Sequence, residues 1–228
     1  MPLYRQQRKL SPAQADERFA RAERRVGFSL YRTECPTCTA CTGLRVVVSE
    51  FRPTRSQRRV AKRWRALGDR LRVTVGVPSW SEDKLAMFNR HKLQRGLADE
   101  QGELMDAYGY AAWLMHSCML TIEMCYYIDD QLVAVGIVDV GQASASSVYF
   151  YFDPSDEISR LSPGVYSVMR EVAWCARTNR SHYYLGLWVR DCASLSYKAN
   201  YHPHELLRDG VWRRATLGDQ EPTQAAQK

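Results

Sequence analysis

The chain has 228 residues, 45% of them hydrophobic and 11% aromatic, with a formal net charge of +7 and a pI near 9.1. That composition excludes a disordered or collagen-like chain and is sufficient for one large domain or two small fused ones. No run reaches the roughly 18 apolar residues of a membrane span, and the start MPLYRQQRKL lacks an apolar signal core, so a cytoplasmic protein with reduced thiols is expected.

Residues 11–25, SPAQADERFARAERR, form the first predicted helix, with Ser11 as N-cap, Pro12 at its first position, and Arg24 and Arg25 complementing the dipole at its end. FSLYRTEC reads as a strand that runs into Cys35, Cys38 and Cys41, spaced C-x-x-C-x-x-C. LRVVVSEF, residues 44–51, is β-branched and alternating, hence a strand. A helix follows Pro53, with Thr54 as its cap. LRVTVGV, 71–77, is a further strand, and SEDKLAMFNRHKLQRG opens on a helix-capping pattern. A loop around 97–106 leads to a helical stretch, DAYGYAAWLMHSC.

The second half has a different rhythm. MLTIEMCYYIDDQLVAVGIVDVG is a hairpin turning at Asp129-Asp130, and ASSVYFYFDP is a strand stopped by Asp153-Pro154. Ser162 caps an amphipathic helix to Arg177, HYYLGLWV is a strand, SLSYKANYHPHELL a short helix and turn, and DGVWRRA a last strand. The end of the chain is polar and reads as a frayed tail. The expected class is α/β or α+β with a mixed, largely antiparallel sheet. Three units are expected: 1–70 with the cysteines and a basic helix, 71–215 as a second domain, and 216–228 as the tail.

Two clusters stand out chemically. Three cysteines at this spacing put sulfurs on one tight turn, as Zn²⁺ or an iron–sulfur cluster requires, but a closed site wants four ligands. Metal binding and a metal-free structural turn therefore both stay open, with a thiol redox role as a lesser option. Cys118, Cys125 and Cys175 lie among apolar residues and read as small core groups. The second cluster is Arg52 to Arg72, with nine basic residues against one acid. Arg55, Arg58, Arg59, Lys62 and Arg63 recur at spacings of three and four, one helix face lacking acidic partners, which suits nucleic-acid phosphates. The ordinary alternative is a solvated face.

YRTECPTCTACTGLRVVVSEFRPTRSQRR, VYFYFDP with SPGVYSVMREV, and YYLGLWV with SYKANYHPHELL together resemble the bacterial aminoacyl-tRNA–protein transferases, the leucyl- and arginyl-transferases, over about residues 30–212. The resemblance implies an acetyltransferase-like (GNAT) acyltransferase fold with an N-terminal cysteine-containing subdomain. It implies an aminoacyl-tRNA donor, acceptor proteins with N-terminal Asp or Glu, and a product marked for N-degron degradation. No ATP is needed, because the ester is already activated; no cofactor is required, a zinc or iron–sulfur site at the cysteines stays open, and neither membrane nor DNA is an expected partner. SPGVY and GLW depart from the family's commoner Ser-Leu-Gly-x-Tyr and Gly-Tyr-Trp. The family's upstream Cys-x-Tyr-Leu segment has no counterpart here, which leaves Cys35, Cys38 and Cys41 an incomplete set. On this footing Asp153, Tyr197 and Lys198 are the catalytic candidates: Asp153 at the acceptor amine, Lys198 at a terminal phosphate, the acceptor carboxylate or the oxyanion. A turn-forming Asp and an exposed helical Lys are their plain alternatives. Tyr149, Tyr151, Gly164, Tyr166 and Trp188 are expected to wall the pocket, with half of the aromatics turned into the core. The Arg55–Arg63 face would hold the tRNA acceptor stem. The rival readings are a non-catalytic RNA-binding protein, an acetyl-CoA enzyme and a degenerate family member.

Overall fold

The computed structural model describes residues 3–6, 8–96 and 104–216; the expected tail beyond 216 and most of the loop at 97–106 lie outside them. In chain order the strands and helices are β1 (Leu3–Arg5), α1 (Pro12–Ala20), β2 (Arg24–Val26), β3 (Ser29–Tyr31), β4 (Thr42–Val47), α2 (Arg55–Arg65), β5 (Leu71–Gly76) and α3 (Glu82–Gln94). They continue with α4 (Ala107–Tyr110), β6 (Thr121–Ile128), β7 (Gln131–Val140), β8 (Ser144–Phe152), α5 (Asp156–Arg160), α6 (Pro163–Arg177), β9 (His182–Trp188), α7 (Ala193–Ser196), β10 (His204–Arg208) and β11 (Val211–Arg214).

Local chemistry accounts for many of the boundaries. Ser11 with Gln14, and Thr54 with Gln57, form reciprocal capping boxes at the starts of α1 and α2. Asp129 and Asp130 both sit at positive φ, 50° and 61°, as a two-residue hairpin turn requires, and their carboxylates pair with Arg70 and Arg72. Four expectations shift, one of them at Ser162, which sits at φ 56° before α6 and makes no side-chain cap bond to it. The first helix ends at Ala20, and Arg24 and Arg25 are in a strand rather than at a helix end. Ala22 turns the chain at φ 55°, and Arg25 is drawn into the interior by Asp139, 2.9 Å away. HELLR is a strand, not part of a helix, because it pairs with β4 on one side and β11 on the other. The strand from residue 44 stops at Val47, where a 3₁₀ turn follows.

Eight strands form one sheet in the order β11-β10-β4-β9-β8-β7-β6-β5, antiparallel throughout except for the β8–β9 pair. A small sheet, β1-β3-β2, stands beside it. The large sheet takes strands from both sides of residue 70, since β4 lies between β9 and β10. Helices cover both faces. On one, α6 packs with α2 outside it, the Trp64 ring stacked on Tyr166 at 4.4 Å and 1°. On the other, α3 and α4 bury Phe88, Tyr110, Val135, Ile137 and Tyr151. Cys118, Cys125 and Cys175 are free, buried core thiols, as their apolar surroundings indicate. Among the described residues no helix is long and apolar enough to cross a membrane.

Candidate functional site

The site begins where the one parallel pair ends. β8 and β9 pair from Ser144 with His182 to Ser146 with Tyr184 and no further. From there each strand stays bonded only to its outer neighbour, β8 to β7 and β9 to β4. A cleft of about 440 Å³ lies beyond the last pair, lined by Ser147, Tyr149 and Phe150 of β8, Leu185 of β9, Gly164, Val165, Val168 and Glu171 of α6, and Tyr197 and Lys198.

Two carbonyls in this split are bonded by cations. Arg24 reaches in from the small sheet and donates to Ser147 O at 2.5 Å and Ser146 Oγ at 3.1 Å. Lys198 Nζ donates to Leu187 O at 2.6 Å. Gly186, at φ 83°, makes room: a Cβ there would lie 2.7 Å from the Arg24 guanidinium carbon. Burial, then the nearby Arg24 charge, pull the Lys198 amine down to a pKa of about 7. Glu171 is the single carboxylate among the described lining residues. It is buried, held by Ser167 at 2.7 Å and by the Tyr183 hydroxyl, and burial raises its pKa.

A second, wider groove of about 970 Å³ runs along α2, lined by Thr54, Arg59, Lys62 and Arg63 together with Asn200 and Tyr201. Ser162, Val165 and Tyr197 line both spaces, so the groove and the cleft are neighbours across one wall. All five basic residues of the α2 face are exposed, while Gln57, Val60 and Trp64 form the buried face. Among the described residues none of the five has a carboxylate partner; Arg58 bonds to Pro53 O and Arg63 to Arg160 O and Ser162. Of these, Arg59, Lys62 and Arg63 border the groove, Arg58 faces a neighbouring surface pocket, and Arg55 borders neither.

Residues 83–208 match the family model described as "Arginine-tRNA-protein transferase, C terminus", and residues 2–59 match its N-terminal counterpart. The chain is also 32% identical over 191 residues to the aspartate/glutamate leucyltransferase of Methylobacillus flagellatus, covering 83% of this chain and 74% of that protein. The chain belongs to the arginine-tRNA-protein transferase family. The leucyltransferases of Chromohalobacter salexigens and Pseudomonas aeruginosa show the same 32% identity, over 84% and 83% of this chain and 75% and 77% of theirs. In three dimensions the chain is similar to L-PGS from Bacillus licheniformis, with a TM-score of 0.51 and 14% identity over 78% of this chain and 59% of that one. A conserved protein of unknown function from Bacteroides thetaiotaomicron gives a TM-score of 0.51 at 13% identity, over 72% and 56%. Both concern the fold alone.

Not every residue singled out in this family member reaches the cleft. Tyr149, Gly164, Tyr197 and Lys198 line it. Lys198 is partly buried rather than fully exposed. Tyr151 is fully buried on the α3 side, its hydroxyl 2.5 Å from that of Tyr110. Tyr166 packs on Trp64, and Trp188 is a core residue donating to Ser196 O. Asp153 borders neither space: it accepts from the Ser155 amide at 2.9 Å and pairs with Arg90 at 3.3 Å. Burial pushes its carboxyl up, but Ser155 and Arg90 outweigh that and hold it below the usual range. Cys35 and Cys38 face each other across an exposed bridged turn, and Cys41 is half-buried. Among the described residues no group of three or more His, Cys, Asp or Glu is placed so as to hold a metal ion. Arg24, Phe150 and Glu171 line the cleft without having been singled out from the sequence. Glu171 carried a signal, an acid four residues from Ser167 on the apolar face of α6; Arg24 carried none.

Proposed function

We propose that this chain transfers leucine from Leu-tRNA to the α-amine of proteins that begin with Asp or Glu. What carries the reading is the junction of the unpaired basic groove of α2 with the split between β8 and β9, in a member of a tRNA-dependent transferase family. The groove would hold the acceptor stem by its phosphates, with the charged 3′ end passing Tyr197 into the cleft. The apolar surfaces of Phe150, Val165, Val168 and Leu185 suit a leucyl side chain. An arginyl side chain would need a carboxylate, and Glu171 is already engaged by Ser167 and Tyr183. The names of the curated relatives, aspartate/glutamate leucyltransferases, support the same donor and acceptor. The parting parallel strands fit a GNAT-like acyltransferase fold, and the product fits the N-degron route in the cytoplasm.

The chemistry is attack of an amine on an activated ester. The amine nitrogen forms an amide bond to the leucyl carbonyl, the ester C–O bond breaks, and the terminal ribose hydroxyl leaves, taking up a proton. The free α-amine, with a pKa of roughly 7.7–8.0, is neutral to about a tenth to a sixth at pH 7, a fraction that lets positioning supply much of the rate without a strong base. Lys198 is close enough to neutrality to exchange a proton with that amine or, protonated, to face the oxyanion.

The test is a transfer assay with radiolabelled Leu-tRNA and Arg-tRNA against peptides beginning Asp, Glu, Asn or Ala. Label from Leu-tRNA on the Asp and Glu peptides is the expected result. No transfer by folded protein with intact tRNA overturns the proposal and leaves RNA binding without chemistry.

A further inference from the structure

We infer that Arg24 is the residue that recognises the side-chain carboxylate of the acceptor. This rests on the transferase reading above and assigns one part of that site. Arg24 comes from the small N-terminal sheet, outside the elements that build the cleft, yet its guanidinium lies in the split between β8 and β9. Gly186 leaves the space that it fills. It is half-buried, and its bonds to Ser146 and Ser147 fix the plane of the fork while using two of its five N–H donors. No carboxylate lies within ion-pair reach of it among the described residues. A fixed, partly desolvated guanidinium with free donors and no anion is a receptor for one, and its geometry matches a carboxylate bidentately.

The other groups of the cleft suit the task less well. Arg95 is exposed where α3 ends, so its charge is screened by water and salt. Lys198 is a point donor already bonded to Leu187 O and close to losing its charge. Glu171, bound by Ser167 and Tyr183, would repel an acidic acceptor if it were ionised, and its burial favours the neutral form. An acidic side chain on Arg24 would bring its own α-amine into the same cleft as Lys198, and binding would raise the Lys198 pKa by offsetting the Arg24 charge.

The experiment compares wild type, Arg24→Gln and Arg24→Lys. It reads kcat and KM for peptides beginning Asp, Glu, Asn and Gln at saturating Leu-tRNA, with Tm as the check on folding. Direct titration of the same peptides into tRNA-free protein gives binding independently of transfer. The expected result is a loss of roughly 10- to 100-fold in kcat/KM for the Asp peptide in R24Q, carried mainly by KM. The Asn peptide changes less than about threefold, so the Asp-to-Asn ratio collapses, while R24K keeps part of it. Equal losses on both peptides, or a raised KM for Leu-tRNA with the ratio intact, would overturn the assignment. If R24Q does not fold, R24K decides alone: an Asp-to-Asn ratio equal to wild type refutes it, a reduced one supports it. Wild type that binds Asp peptides through Arg24 but moves no leucine would refute the transfer chemistry and leave this inference standing. Wild type that transfers leucine with a ratio indifferent to Arg24 does the reverse.

Discussion

Lys198 shows how one side chain can record the state of the site. Its amine is held near pKa 7 because burial and Arg24 penalise the charged form. The unfolded chain keeps the ordinary lysine value near 10.4. Between about pH 7 and pH 10 the unfolded state therefore binds the extra proton, and folding stability rises with pH through that window. Below about pH 7 both states are protonated and the penalty is present in full. Lys198→Met removes this contribution, so wild type is expected to gain stability relative to K198M between pH 7 and 10, read by urea denaturation at several pH values. A constant difference across that range would place the amine in water. Transfer activity is expected to fall in K198M at every pH.

At the scale of elements, α2 divides its work between two faces. Val60 and Trp64 seat it on α6, and Gln57 bonds Asn200 O, so the helix is fixed independently of its charges. Arg59 and Lys62 lie outward on the groove. The double reversal Arg59→Glu and Lys62→Glu is expected to raise KM for Leu-tRNA without lowering Tm. It should also flatten the dependence of log affinity on log salt by roughly 1–2 units. Binding titrations at several salt concentrations check this. Unchanged affinity would return the face to ordinary solvation. The face itself was legible from its three- and four-residue spacing, and the start of the helix from Thr54 as its cap. The groove was not, because its opposite wall comes from residues about 100 to 140 positions later, Ser162, Val165, Tyr197 and Tyr201.

For the whole molecule, the small N-terminal sheet is fastened to the large one by a buried ion pair, Arg25 with Asp139, both almost fully shielded from water. Arg25 also donates to the Trp113 and His116 carbonyls, and Thr121 donates to Asp139 at 2.6 Å. Arg25→Leu leaves that carboxylate buried without its cation and is expected to cost about 3–5 kcal/mol, a drop of roughly 10 °C in Tm. Because β2 carries Arg24 as well, the same change should raise the acceptor KM; calorimetry with peptide kinetics checks both.

The sequence by itself determined what depends on neighbouring residues. Capping side chains opened α1 and α2, and two aspartates with left-handed backbone turned the β6–β7 hairpin. The family could also be read from its motifs, since chemistry constrains their order and spacing. Only the tertiary structure decided where those elements meet. β4 sits between β9 and β10, and HELLR is a strand because sheet pairing on both sides outweighs its local helical pattern. Tyr166 and Trp188 went to the core because burying their large rings removes apolar surface from water. Arg24 entered the cleft because Gly186, more than 160 residues away, left room for its guanidinium, a contact that no local pattern encodes.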